Sequence, residues 1–212
     1  MHGSPTIERF GTMSEGALAV NDNIYAGDIV RTGPDEDVTS TWDDGSTHVT
    51  GPNSAWTVGM RENGGKKYSF LSALVGLFLV ICRPDTDVKT PVGHAIVRGT
   101  DILLNIAPDG TTQMTVLSGD AQFENPQGAV DVTAGEQTTT APGQAPSAPI
   151  AVDTTGLIAW SYNAVSLPLV YETPALAALA ADQQATGDRR QARRRSAGPS
   201  EPGLSAAGGG RF

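Results

Sequence analysis

Apolar and polar residues alternate with a period of two through three stretches of the chain, and each stretch is interrupted at its middle by residues that favour a tight turn. In the first, Val38, Ser40 and Trp42 alternate with polar positions, Asp44-Gly45 supplies the bend, and Thr47 and Val49 lead away. In the second, Ile102, Leu104 and Ile106 run to Pro108-Asp109-Gly110 and return through Met114 and Val116. In the third, Ala121 and Phe123 precede Asn125-Pro126-Gln127-Gly128, and Val130 and Val132 follow. Gly, Asn and Asp at the centres tolerate the backbone angles of hairpin turns. The pattern therefore predicts three hairpins, each with one apolar face to bury, and an all-β body of the sandwich, barrel or solenoid kind.

Short glycine-acid steps punctuate these hairpins at Gly27-Asp28, Gly119-Asp120 and Gly135-Glu136, and the last two are 16 residues apart. Turns repeated at such spacing favour a solenoid-like roll over an immunoglobulin-type sandwich. The longest apolar stretch, Phe70 to Cys82, covers about 13 residues, fewer than the roughly 20 that cross a bilayer as a helix. It is read as a buried strand or strand pair, and no transmembrane segment is expected.

The pattern weakens after residue 136. Residues 137–149, QTTTAPGQAPSAP, have no apolar period and read as a surface connector, with the core strands ending before it. Two apolar patches within residues 151–173 are expected to pack back on the body. Pro174 then opens ALAALAADQQA, a short helix over 174–186 with proline in its first turn. Residues 187–212 are rich in Arg and Gly and are expected to be disordered unless bound. Residues 1–15 form an N-terminal extension, and 16–150 the all-β domain.

A chain of 212 residues can bury a core without metal or crosslinks. Its lone Cys82 cannot form an internal disulfide and is read as a small buried hydrophobe. Division by region makes the charge informative. Six of the 14 basic residues lie after residue 185 with only Asp188 and Glu201, a net of +4, which leaves 8 basic against 21 acidic residues before it, a net of −13. Such a body repels nucleic acid and anionic membrane, while the tail seeks an acidic surface. The opening MHGSPTIERFGTMSEG holds no basic segment followed by an apolar one, so no secretory signal is visible.

Candidate chemistry is sparse. His2, His48 and His94 are dispersed, and no metalloprotease, dithiol, nucleophile-elbow or phosphate-loop motif occurs. A zinc site from His48, Cys82 and His94 has no supporting spacing. The acidic runs Asp35 to Asp37 and Asp43-Asp44 do not follow the order of a calcium loop and are explained by turn chemistry. Catalysis, cofactor and metal are therefore not expected. Arg189, Arg190, Arg193, Arg194 and Arg195 suit nucleic acid, anionic lipid or an acidic protein surface, with a solvated tail as the plain alternative. No aromatic residue interleaves them for base stacking, so protein docking is favoured, with other copies of this acidic chain among the partners and no nucleic acid expected.

Seven short motifs stand in order along the chain: Ala26-Gly27-Asp28 with Val30-Arg31-Thr32-Gly33, Asp44-Gly45-Ser46, Pro52-Asn53-Ser54, Thr90-Pro91, Val97-Arg98-Gly99-Thr100, Val116-Leu117-Ser118-Gly119, and Ala134-Gly135-Glu136. In these residues the chain resembles the FecR domain over about residues 16–150. The resemblance implies a FecR-like β-solenoid or rolled β-sandwich built of hairpins, periplasmic or extracellular, without cofactor or catalysis. In the best-known members a cytoplasmic anti-sigma segment and a transmembrane helix precede the domain and relay a signal from a TonB-dependent outer-membrane transporter to a sigma factor. Those flanking parts are not seen here, so the chain is read as a stand-alone module. Three roles stay open: a structural or protein-interaction module of a larger assembly, an extracytoplasmic sensor working with a separate membrane protein, and a virion or cell-surface component. Virion and cytoplasmic locations also stay open. Physically the motif residues read as architecture: Gly45 and Gly99 relax turns, Asn53 and Ser54 close one by side-chain hydrogen bonds, and Arg98 is expected to tie strands by donating to carbonyls.

Overall fold

The three expected hairpins are present, paired in the register that their alternation demands. They belong to a set of fifteen strands in a computed structural model that describes residues 1–157 other than Asp43, Gly64 and Arg83. In chain order these are β1 (Thr6–Arg9), β2 (Ser14–Ala17), β3 (Ile29–Arg31), β4 (Val38–Thr41), β5 (Thr47–Thr50), β6 (Ala55–Asn63), β7 (Lys66–Ile81) and β8 (Pro84–Thr90). There follow β9 (Gly93–Arg98), β10 (Asp101–Ile106), β11 (Thr112–Ser118), β12 (Asp120–Asn125), β13 (Gly128–Thr133), β14 (Glu136–Thr140) and β15 (Ile150–Ala151). The first expected hairpin is β4–β5, with Ser40 opposite His48. The second is β10–β11, with Leu104 opposite Met114, and the third is β12–β13, with Phe123 opposite Val130.

All pairings among the described residues are antiparallel except β7 with β8. The body is thus rolled from hairpins rather than coiled from stacked parallel turns. Its organiser is β7. The first part of this strand pairs with β6 and β8 in a sheet ordered β2-β1-β3-β6-β7-β8-β9-β12-β13. The last part, from Gly76, pairs with β5 and β10 in a second sheet ordered β4-β5-β7-β10-β11-β14-β15. One sheet therefore folds over on itself within a single strand.

Two local devices make that fold-over possible. A register shift opposite Ala55-Trp56 inserts one extra residue into β7, which reverses which side chains face inward. Leu71 and Ala73 before the shift, and Phe78 and Val80 after it, consequently all reach the same core. Gly76 then takes φ +110°, a region that L side chains rarely occupy. A Cβ there would sit 2.1 Å from Ser54 Oγ and 2.5 Å from Ser54 Cα. Ser54 fills the space: its Oγ donates to Pro52 O at 3.0 Å and accepts from Leu77 N at 3.0 Å, while its N donates to Thr32 Oγ1 at 3.0 Å.

The core between the sheets joins Val30, Trp56, Leu71, Val88, Val97 and Phe123 of the first sheet to Phe78, Val80, Ile102, Leu104, Met114 and Val116 of the second. A smaller cluster of Val49 and Leu79, with Ile81 and Leu117 against it, lies on the opposite face of the second sheet. The strands continue past residue 136, where the sequence pattern ends them. β14 pairs with β11, and its inward residues Thr138 and Thr140 are buried; threonine has the branched shape that suits a strand but no apolar signal. Thr6–Arg9 and Ser14–Ala17, inside or adjoining the expected N-terminal extension, join the first sheet through β3. The helix expected over 174–186 and the arginines of 187–212 lie outside the described residues. No helix among the described residues is long and apolar enough to cross a membrane.

Candidate functional site

The motif residues cluster at turns and at ties between strands. Gly27 (φ +88°), Gly45 (+84°), Gly99 (+68°), Gly119 (+73°) and Gly135 (+83°) all lie in the left-handed region. Each therefore marks a reversal that a side chain would strain. Asn53 adopts φ +52° and donates its N–H to Gly33 O at 3.0 Å. Thr90 Oγ1 donates to Gly93 O at 3.0 Å, closing the β8–β9 turn at Pro91. Thr100 Oγ1 donates to Asp120 O at 2.7 Å and ties β9–β10 to β12. Arg98 is exposed, and the cross-strand tie at this point comes from the Thr100 hydroxyl.

Asp28 is the most connected of these residues. It is 2% exposed, and it accepts Phe10 N at 2.9 Å, Tyr25 N at 3.0 Å and Arg9 Nη1 at 2.8 Å. The same guanidinium donates to Asn23 O at 2.7 Å. Burial pushes the Asp28 carboxyl up, but the bonds from Tyr25, Phe10 and Arg9 outweigh it and hold the pKa below the usual carboxylate value. One carboxylate thus fixes the tip of the β1–β2 hairpin beside the loop 18–28. It leaves Phe10 and Tyr25 exposed at 74% and 62%, with Met13 and Val20 also exposed nearby in sequence. Asp28→Ala is expected to cost about 2 kcal/mol, because the Arg9 charge and two amides lose their acceptor. Amide exchange at Phe10 and Tyr25 should then accelerate ahead of exchange in β10 and β11.

A second tie joins the two sheets at their other end. Asp44 accepts Ser46 N at 2.8 Å and Thr86 Oγ1 at 2.9 Å, and Ser46 Oγ lies 3.2 Å from Thr86 Oγ1. Here too burial raises the carboxyl, and the hydrogen bonds from Ser46 and Thr86 outweigh it, so the Asp44 pKa lies below its usual value. Beside it, Cys82 is buried, and desolvation pushes its thiol up to about 12, which suits a packing residue and not a nucleophile. His48 faces the core from β5, while His94 is part-exposed on β9 with Nε2 3.9 Å from Glu124 Oε1. Among the described residues no three His, Cys, Asp or Glu side chains are placed to hold a metal ion.

Among the described residues, two concavities stand out. One, about 760 Å³, lies at the turn end of the body among Pro91, His94, Asp109, Asn125 and Pro142. Asn125 spans it structurally, with its Nδ2 donating to Val92 O and Gln144 O. The other, about 710 Å³, opens between β4 and the loop 18–26, with Trp42, Trp56, Val58 and Met60 in its wall. Trp42 packs on His48 at 4.6 Å between ring centroids and on Trp56 at 6.1 Å. The sequence did not mark this cleft, because its residues come from five separate stretches of the chain with no shared motif.

With the fold in view, the class is an all-β rolled sandwich. Two crystal structures of candidate anti-sigma factors from Parabacteroides distasonis share it, with TM-scores of 0.53 and 0.51 at 14% and 16% identity, each over 62% of this chain. The match spans 63% of the length of each of those chains. No family model matches the chain, and neither does any curated protein.

Proposed function

We propose that the protein is a non-catalytic, FecR-like module that binds proteins within a larger assembly and acts outside the cytoplasm. The observation that carries this reading is the Asp28 latch: a motif residue holds the backbone amides of Phe10 and Tyr25, two residues exposed at the surface. Large apolar side chains exposed together on a fixed backbone mark a contact surface. The tail supports the same reading, since its five clustered arginines are opposite in charge to the body. The test is native mass at low and high ionic strength, with residues 187–212 intact and deleted. The full chain is expected to assemble beyond the 22.0 kDa monomer at low salt and to dissociate on salt addition or tail deletion. Monomers throughout would sink the assembly reading.

A second reading, an extracytoplasmic sensor acting with a separate membrane protein, is favoured by the description of the two structural neighbours as candidate anti-sigma factors. It predicts a gene beside those of a sigma factor and an outer-membrane transporter, and a monomer in the experiment above.

A further inference from the structure

We infer that the cleft between β4 and the loop 18–26 receives the arginine-rich segment Arg189–Arg195 of a second copy. This rests on the tail-mediated assembly proposed above and names the surface that takes the tail.

Three features of the cleft fit guanidinium groups. First, its wall offers aromatic rings, Tyr25 at 62% exposure and half-buried Trp42, with Met60 beside them at 48%. A planar guanidinium stacks on such rings, and an arginine stem packs on methionine. The pairing of cation and ring already occurs within this chain, where Arg61 lies 5.8 Å over Tyr68 and Lys89 Nζ 4.5 Å over Phe70. Secondly, the charge of the body is uneven. Residues 1–60 carry nine acids against two arginines, a net of −7, while residues 61–157 carry ten acids against six bases, a net of −4. Both arginines of the acidic part are occupied, Arg9 by Asp28 and Arg31 by Glu8. Thirdly, part of that charge stands on, or next in sequence to, the segments that line the cleft. Asp22 lines it, Asp35, Glu36 and Asp37 lead directly into β4, and Asp43 and Asp44 follow Trp42. No Lys or Arg lines it among the described residues; the cation at its edge is the Met1 ammonium, 3.6 Å from Asp37.

The experiment titrates a labelled peptide of residues 186–197 into the full chain and three full-chain variants, Tyr25→Ser, Asp35→Lys and Asp120→Lys, with native mass recorded for each. Tyr25 is an exposed side chain that lines the cleft, Asp35 is an exposed acid three residues before Val38 in its wall, and Asp120 is an exposed acid at the start of β12. Tyr25→Ser and Asp35→Lys are each expected to weaken the peptide about fivefold, and Asp120→Lys less than twofold. Replacing the five peptide arginines with lysine should weaken it by a similar factor, because lysine does not stack as a plane. Equal weakening by both lysine variants of the protein would reduce the attraction to overall charge and overturn the inference. So would unchanged binding in Tyr25→Ser and Asp35→Lys, or tail-dependent capture on nucleic acid that those two variants leave intact. If tail deletion abolishes assembly while both cleft variants assemble normally, the assembly reading stands and the cleft is the wrong surface. If the peptide binds the cleft as expected but the chain is monomeric with or without its tail, the cleft is an arginine-binding surface, and both the second copy as its occupant and the assembly reading are overturned.

Discussion

Gly76→Ala is expected to lower the free energy of unfolding by roughly 4 kcal/mol. Two costs combine. A residue with a Cβ at φ +110° carries about 1–3 kcal/mol of backbone strain. The methyl must also enter a space where Ser54 Oγ, Cβ and Cα lie 2.1, 2.4 and 2.5 Å away, and overpacking of this kind typically costs about 1–3 kcal/mol. Because Ser54 belongs to the turn that carries the chain from β5 to β6, the clash pushes on backbone and not on a mobile side-chain end. Urea unfolding of Gly76→Ala, Ser54→Gly and the double variant separates the terms. Ser54→Gly alone loses the bond from Leu77 N, about 1 kcal/mol, yet it removes the two closest contacts. The double variant is therefore expected to be more stable than the sum of the single costs, by about 1 kcal/mol or more. Strict additivity, or a Gly76→Ala protein that unfolds with the parent, would show that the corner is not held by this contact.

That corner also shows where legibility in the sequence stops. The hairpins at 38–49, 102–116 and 121–132 were readable because turn residues sit midway between alternating apolar positions, and the signal is local. The hairpin β6–β7 went unread although Trp56, Val58 and Met60 alternate before Asn63-Gly64-Gly65. The apolar run in β7 changes facing at its extra residue, so its period breaks where the two sheets join. β14 was hidden for a different reason: Thr138 and Thr140 are inward and buried, but they carry hydroxyls. Gly45 and Gly99 were legible as reversals, and their φ values of +84° and +68° agree. What Asp28 holds was not legible, since Arg9 and Phe10 are 19 and 18 residues away, and neither was the cleft, which exists only once β4, β6 and the loop 18–26 meet. The sequence recognised Asp35 to Asp37 and Asp43-Asp44 as turn chemistry. Glu36 accepting Gly33 N at 2.7 Å and Asp44 accepting Ser46 N agree with that, without excluding the electrostatic role proposed for the same acids.

Acid should weaken the fold well before its carboxylates protonate, and His48 is the reason. The side chain is 1% exposed, sits in β5 opposite Val80 and packs on Trp42. Neither ring nitrogen has a hydrogen-bond partner among the described residues. Burial lowers its pKa from 6.5 to about 3, and the nearby Asp44 charge only partly opposes this. The fold therefore refuses a proton that the unfolded chain accepts. Above pH 6.5 both states are neutral and stability is full; as pH falls from 6.5 towards 3 the unfolded chain binds the extra proton and stability declines, by roughly 2 kcal/mol at pH 5. Asp28 and Asp44, whose pKa values are lowered, add their losses only as pH falls below the ordinary 3.8. Asp101 works in the opposite sense: burial raises its pKa, so the fold gains a proton early and recovers some stability as pH falls. His48→Leu isolates the histidine, since it leaves Asp101 in place. Urea midpoints of the parent are expected to drop between pH 7.5 and 5 while those of the variant stay level or rise. The variant should also match or exceed the parent at pH 7.5, because it no longer buries two unpartnered nitrogens. A parent with no slope in this window, or a variant with the same slope, would locate the acid sensitivity elsewhere.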